Sequence, residues 1–172
     1  MDMGKLIWIT GLSGAGKTTI GSEVFKLLKD KYNNTVFLDG DVIRDILGND
    51  LGHDIEDRKK NAVRISKMCE FLTKQNINVV CATMSLFKEI HDLNKLNIKY
   101  YYEIYIDVNI EELVKRDSKG LYAKALKGEI KNVIGIDLPY DKPANPCMII
   151  NNEDLEISIE QKALNIINKV GL

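Results

Sequence analysis

No stretch of the 172-residue sequence approaches the 18 consecutive apolar residues of a membrane-spanning helix. The first apolar run, Leu6 to Ile9, is too short for a signal-peptide core. A cytoplasmic protein with no membrane partner is therefore expected. Cysteine is scarce. Cys69, Cys81 and Cys147 are odd in number and far apart, which excludes a disulfide framework or a zinc knuckle. Cys81 and Cys147 lie in apolar runs and read as buried, inert thiols. An excess of one charge is also lacking: 24 Lys+Arg stand against 25 Asp+Glu, a net charge of −1. Nucleic acid as the main partner needs a net positive surface and is not expected. The two histidines, His53 and His91, have no ligand cluster around them in sequence. Repeats and low-complexity segments are absent, and 45% apolar with 28% charged residues is the composition of a globular chain. At roughly 150 residues per domain, residues 1–172 read as one domain.

What the chain does have is alternation. Strand-length apolar runs stand at Leu6–Thr10, Thr35–Leu38, Asn78–Ala82, Tyr102–Ile106 and Cys147–Ile150. Helical patterns separate them over Thr18–Lys31, Asp57–Gln75, Leu86–Leu96, Ile110–Arg116 and Leu155–Val170. In the long helix Val63, Ile65, Met68, Phe71 and Leu72 are expected to face inward. The strands lack a period of two, as expected where both faces are buried. The pattern predicts an α/β fold with a five-stranded parallel sheet and helices on both faces. One segment, 118–145, is rich in Lys and Gly and carries Pro139 and Pro143. Such a long excursion reads as a lid.

Gly11-Leu12-Ser13-Gly14-Ala15-Gly16-Lys17-Thr18 fits G-x-x-x-x-G-K-[ST], with a strand before it and a helix after it. Glycines let the backbone curl so that successive N–H groups point at phosphate oxygens. The helix start, Thr19 included, adds positive potential. Lys17 is expected on the β/γ-phosphates and the Thr18 hydroxyl on Mg²⁺. The pattern establishes a nucleotide triphosphate site and leaves two classes, a phosphotransferase and a hydrolysing switch. A guanine-specific switch needs N-K-x-D. The nearest match, Asn94-Lys95-Leu96-Asn97, lacks the Asp and reads as a solvated helix end.

The second strand runs into Leu38-Asp39-Gly40-Asp41. Residues just past the carboxyl ends of parallel strands line the ligand crevice. One of Asp39 and Asp41 can organise Mg²⁺, and the other can accept the proton of an attacking hydroxyl. Asp41 can also cap a helix starting at Val42. Arg44, one turn on, can clamp an anionic acceptor.

Leu38-Asp39-Gly40-Asp41-x-x-Arg44, Asp50-Leu51-Gly52, Asp57-Arg58-x-x-Asn61, Arg116-Asp117-x-Lys119-Gly120-Leu121-Tyr122 and Gly135-Ile136-Asp137-x-Pro139-Tyr140 together resemble the adenylylsulfate kinases. The resemblance implies a P-loop kinase that moves the γ-phosphoryl of ATP to a nucleotide 3′-hydroxyl. It also implies a lid built around Lys119-Gly120-Leu121-Tyr122, and suggests a homodimer. By matching position it implies Asp41 as base, with Lys17 and Asp39 beside it, and Thr18 and Asp39 toward Mg²⁺. Arg44, His53, Arg58, Asn61, Lys131, Val133, Gly135 and Ile136 are implied at the acceptor, and Arg116 against the adenine of ATP. Ser85 matches a serine that the family sometimes labels a phosphoserine intermediate. In-line transfer needs none, so Ser85 reads as a loop contact.

The departures from the family pattern cluster. Gly-Phe-Ser becomes Gly52-His53-Asp54, and the lid's Lys-x-Phe-Thr-Gly-Ile becomes Lys131-Asn132-Val133-Ile134-Gly135-Ile136. The resemblance implies that those two phenylalanines sandwich the acceptor's adenine. Base–aromatic stacking is worth about 1–3 kcal/mol per base. Asn-x-Arg-Arg becomes Asn61-Ala62-Val63-Arg64, and Ile-Ser-Pro becomes Met84-Ser85-Leu86. Changes concentrated on the acceptor side point to a related nucleotide with a smaller base. A branch of the family phosphorylates cytidine diphosphoramidate, and ordinary adenylylsulfate kinase activity stands as the alternative.

Overall fold

Every residue of β1 (Leu6–Thr10) and β3 (Asn78–Ala82) is buried, which requires cover on both faces of the sheet. The computed structural model describes residues 3–117, 120–153 and 156–172. With β2 (Thr35–Asp39), β4 (Tyr101–Asp107) and β5 (Met148–Asn151), these strands form one parallel sheet in the order β2-β3-β1-β4-β5. The register sets Ile9 beside Ala82 on one side and Ile104 on the other. The carboxyl ends of β1, β2 and β3 therefore open at one edge of the sheet.

Helices α1 (Lys17–Lys31) and α7 (Ile159–Val170) pack against each other, and α3 (Ile55–Lys74) packs against α4 (Lys88–Asn97). Three shorter helices, α2 (Gly40–Ile46), α5 (Ile110–Arg116) and α6 (Leu121–Leu126), complete the described elements. This is the expected α/β architecture, and strand boundaries agree with the sequence pattern to within a residue.

Five expectations change. The inward stripe of α3 is Ala62, Ile65, Ser66, Cys69 and Thr73, while Phe71 is 63% exposed. Small and polar residues carry much of that stripe, and Phe71 lies about 200° around the helix from Cys69. Asp39, not Asp41, caps α2: its side chain accepts from the Asp41 amide. Asn94 is fully buried and accepts from the Ser66 hydroxyl, so that helix end is not all solvated. Cys147 is half-buried, whereas Cys69 and Cys81 are buried. The last helix begins at Ile159, behind its Ser158 cap, rather than at Leu155, which lies outside the described residues.

The excursion is built in part. It holds α6, and it buries Val133 and Ile134 in the main core. Asp137 receives the Asn132 and Val133 amides at 2.7 and 2.6 Å and so closes a tight turn. These bonds hold its carboxyl below the usual aspartate range.

The stripe of α3 makes a testable distinction. Ile65→Ala should cost about 2–5 kcal/mol in denaturant unfolding, as a fully buried branched side chain does. Phe71→Ala should stay within about 1 kcal/mol despite the larger deletion, since surface changes are small. Equal losses would mean that Phe71 is covered in solution.

Candidate active site

The loop leaving β1 is bare because its neighbours leave no room. A Cβ on Gly11 would stand 2.6 Å from the Ile106 carbonyl oxygen, and one on Gly16 would stand 2.5 Å from Asn152 Nδ2. Gly14 and Gly16 adopt φ of 76° and 100°, a region that glycine enters without strain. Ala15 is buried. Gly16 precedes α1 without a side-chain cap, and no acidic residue sits in the first turn. The first-turn amides are left to bind an anion. Lys17 Nζ donates to the Leu12 carbonyl at 2.8 Å, arching over the loop.

A cleft of about 340 Å³ opens over this loop. Its wall includes Ser13, Gly14, Gly16, Lys17, Thr18, Thr19, Asp39, Asp41 and Ser85. Arg44, His53, Arg58, Asn61, Arg116 and Leu121 also face it. Gly11 and Ala15 shape the loop from behind. Lys131, Val133, Gly135 and Ile136 are not among the residues lining the cleft. Val133 turns its side chain into the core at 4% exposure. Lys119 lies outside the described residues. Tyr122, the last residue of the Lys119-Gly120-Leu121-Tyr122 motif, lines the cleft, as do Thr83 and Leu113, which carry no signal in the spacing. Tyr122 donates its phenol to the Ser13 carbonyl at 2.7 Å, so α6 holds the phosphate loop from above. Burial first, then nearby Asp117, pushes that phenol up to about 12.

The two carboxylates divide. Asp39 Oδ2 accepts from the Thr18 hydroxyl at 2.7 Å, and Oδ1 accepts from the Asp41 amide at 3.0 Å. Both oxygens of Asp39 are thus engaged: Oδ2 joins β2 to α1, and Oδ1 caps α2. The Asp41 carboxylate, on the first turn of α2, is exposed to the cleft and has no hydrogen bond or ion pair among the described residues. Ser85 is 2% exposed; its hydroxyl lies 3.2 Å from that of Thr83. Its carbonyl accepts from His91 Nε2 at 2.8 Å. His91 is backed in turn by buried Glu103, 3.6 Å from its other ring nitrogen.

Two arginines order the far side. Arg44 donates to the Leu51 and Gly52 carbonyls, the latter at 2.8 Å. Arg58 donates to the His53 carbonyl at 2.7 Å and to the Asn132 carbonyl at 2.9 Å, bridging α3 to the excursion. Asp57 accepts from the Gly52 amide at 2.7 Å, which holds its carboxyl low. Asn61 Oδ1 is buried at the cleft without a hydrogen-bond partner among the described residues. A buried acceptor in that state costs about 1–3 kcal/mol unless something fills it. The donor set of the Thr18 hydroxyl and the Asp39 carboxylate is all oxygen and fits a hard divalent cation.

His53 sits between these guanidinium groups. Burial, and then the charges of Arg44 and Arg58, lower its pKa from 6.5. The ring is neutral at pH 7. Since the unfolded chain binds the proton more readily, His53 withdraws stability only as pH falls below about 6.5. In an NMR titration, His53 should titrate below 6.5, and Arg44→Ala should move it upward. A midpoint above 6.5 in the intact protein would contradict this electrostatic picture.

The family model described as adenylylsulphate kinase matches residues 3–151. The cytidine diphosphoramidate kinase of Campylobacter jejuni is 46% identical over 167 residues, covering 97% of this chain and 96% of that protein. An adenylyl-sulfate kinase of Halothermothrix orenii is 39% identical, covering 95% of this chain and 88% of its own. The Mycobacterium tuberculosis APS kinase CysC, solved with AMPPNP and APS, superposes with a TM-score of 0.90 at 33% identity, covering 100% of both chains. With its phosphate loop, paired aspartates and matching sheet, the chain belongs to the adenylylsulphate kinase family and is an ATP-dependent kinase.

Proposed function

We propose that the chain moves the γ-phosphoryl group of ATP to the 3′-hydroxyl of a small nucleotide, and that this acceptor is cytidine diphosphoramidate. The carrying observation is the absence of an aromatic clamp. His53 lines the cleft where the family places a phenylalanine, and the Val133 side chain, at the other such position, is buried away from it. A pyrimidine presents less ring area than a purine and loses less from that absence. The 46% identity to a cytidine diphosphoramidate kinase supports the same reading.

The chemistry follows from the positions. Asp41, with its free carboxylate, accepts the proton of the 3′-hydroxyl as that oxygen attacks the γ-phosphorus. The bond from that phosphorus to the bridging oxygen breaks, and ADP leaves with the electron pair. Lys17 and the loop amides stabilise the charge that develops on the phosphoryl oxygens. Thr18 and Asp39 would hold Mg²⁺, which when bound neutralises charge between the β- and γ-phosphates. Arg44, Arg58 and Asn61 bind the acceptor, Arg116 packs on the ATP base, and Ser85 serves as a loop contact. Residues 1–172 act as one domain in the cytoplasm, with 118–145 as the lid. A second reading, adenylyl sulfate as acceptor, is favoured by the whole-chain likeness to the mycobacterial enzyme solved with APS.

A coupled ADP-release assay with an acceptor panel tests both readings. Cytidine diphosphoramidate should turn over well and adenylyl sulfate poorly. Robust turnover with adenylyl sulfate alone would sink the cytidine reading, and acceptor-independent hydrolysis would sink both. Asp41→Asn should cut transfer by about 10²-fold or more while leaving ATP affinity nearly unchanged, the scale of a lost general base. His53→Phe should improve adenylyl sulfate use, read as a lower KM; no change would remove the missing ring as the determinant.

A further inference from the structure

All four polar groups of one residue outside the cleft are hydrogen-bonded, two of them to residues on the ATP side. Asn152 follows β5 and is 8% exposed. Its amide N–H donates to the Asp107 carbonyl at 3.1 Å. Its carbonyl accepts from Arg116 Nη2 at 2.9 Å. Its side-chain Nδ2 donates to the Ala15 carbonyl at 2.8 Å, and its Oδ1 accepts from Lys162 Nζ at 2.8 Å. Lys162, on α7, is only 3% exposed. A lysine so buried is uncommon and needs a reason.

The direction of these bonds supplies the reason. A carbonyl such as that of Ala15 can accept only, so the Asn152 amide must present its NH₂ end to the phosphate loop. An ammonium can donate only, so Lys162 forces the oxygen end of the same amide toward α7. The amide cannot flip without setting two donors, and two acceptors, face to face. The Ala15 carbonyl is thereby pulled to the back of the loop, which leaves the neighbouring N–H groups turned toward the cleft. The space behind Gly16 is filled by the same Nδ2. Through its backbone carbonyl, Asn152 also sets one guanidinium nitrogen of Arg116, which lines the cleft. We infer that Asn152 and Lys162 are positioning residues for ATP, with Lys162 acting through Asn152. They fix the phosphate loop and Arg116 relative to each other from the last helix.

The test is ATP affinity by titration calorimetry with no acceptor present, so a wrong acceptor assignment leaves it untouched. Asn152→Ala and Lys162→Met should each raise the ATP Kd about tenfold, the scale of a sub-ångström misplacement. The double variant should bind ATP no worse than Asn152→Ala alone, because both changes break one chain of bonds. In turnover, the ATP KM should rise while kcat at saturating ATP changes by less than about threefold, as for lost uniform binding. If Lys162→Met does not fold, Asn152→Ala by itself decides on the same Kd. A Kd within about twofold of the parent with a lowered melting temperature, or independent and multiplying effects in the double variant, would overturn the inference.

Discussion

A backbone that must offer its amides to phosphate cannot also clothe itself in side chains. That constraint organises much of this molecule. The loop after β1 is stripped to glycines at the points where Ile106 and Asn152 press against it. With so little side-chain material, the loop cannot hold its own shape. Its stiffness comes from outside: Tyr122 on the Ser13 carbonyl, Asn152 on the Ala15 carbonyl, Lys17 on the Leu12 carbonyl. Each of these grips an oxygen. Securing carbonyls on the outer side of a curled strand leaves the N–H groups for the inner side, which is what a polyanion needs.

The same economy appears at the acceptor end, where charged groups do two tasks. Arg44 and Arg58 carry the positive charge that a phosphorylated ligand requires, yet much of their hydrogen-bonding capacity holds the 49–53 segment and Asn132. Burial, and then the nearby Arg44 charge, lower the Arg58 pKa; burial, and then the charges of both arginines, lower that of His53. A cationic ring beside two guanidinium groups would repel them. A neutral one can lie flat against a base.

The five-stranded parallel sheet and most strand boundaries were legible because buried parallel strands are written as continuous apolar runs, and Leu6–Thr10 is such a run; the order β2-β3-β1-β4-β5 was not, since it is set by which strands pair across the fold. The phosphate loop was legible because its chemistry forces particular residues at fixed spacing. The division of labour between Asp39 and Asp41 was implied by the family resemblance but left open by the residues alone, since it depends on which carboxylate the Thr18 hydroxyl at the start of α1 reaches. Phe71 misled because hydrophobicity was read where α3 uses Ala62, Ser66 and Thr73 to approach its neighbours closely. Tyr122 was legible as part of a motif but its grip on Ser13, like those of Asn152 on Ala15 and Lys162 on Asn152, was not: the bonds span 109, 137 and 10 residues, and the two long separations leave no periodic trace. Val133 stands where the family pattern has an aromatic ring, but its burial follows from the Asp137 turn, a purely local device.

The stretch from Asn132 to Lys142 is stapled to the body at both ends. Arg58 holds the Asn132 carbonyl, and the Asp141 amide and side chain are bonded to the Leu86 carbonyl and the Lys88 amide. Lys142 adds an ion pair to Asp107 at the end of β4. The conformational entropy of this stretch is therefore surrendered when the chain folds, at about 1–2 kcal/mol per residue. None of it is left to be withdrawn from the free energy of a ligand that arrives later. This part of the excursion is ordered before any ligand arrives, so its ordering adds nothing to the cost of binding.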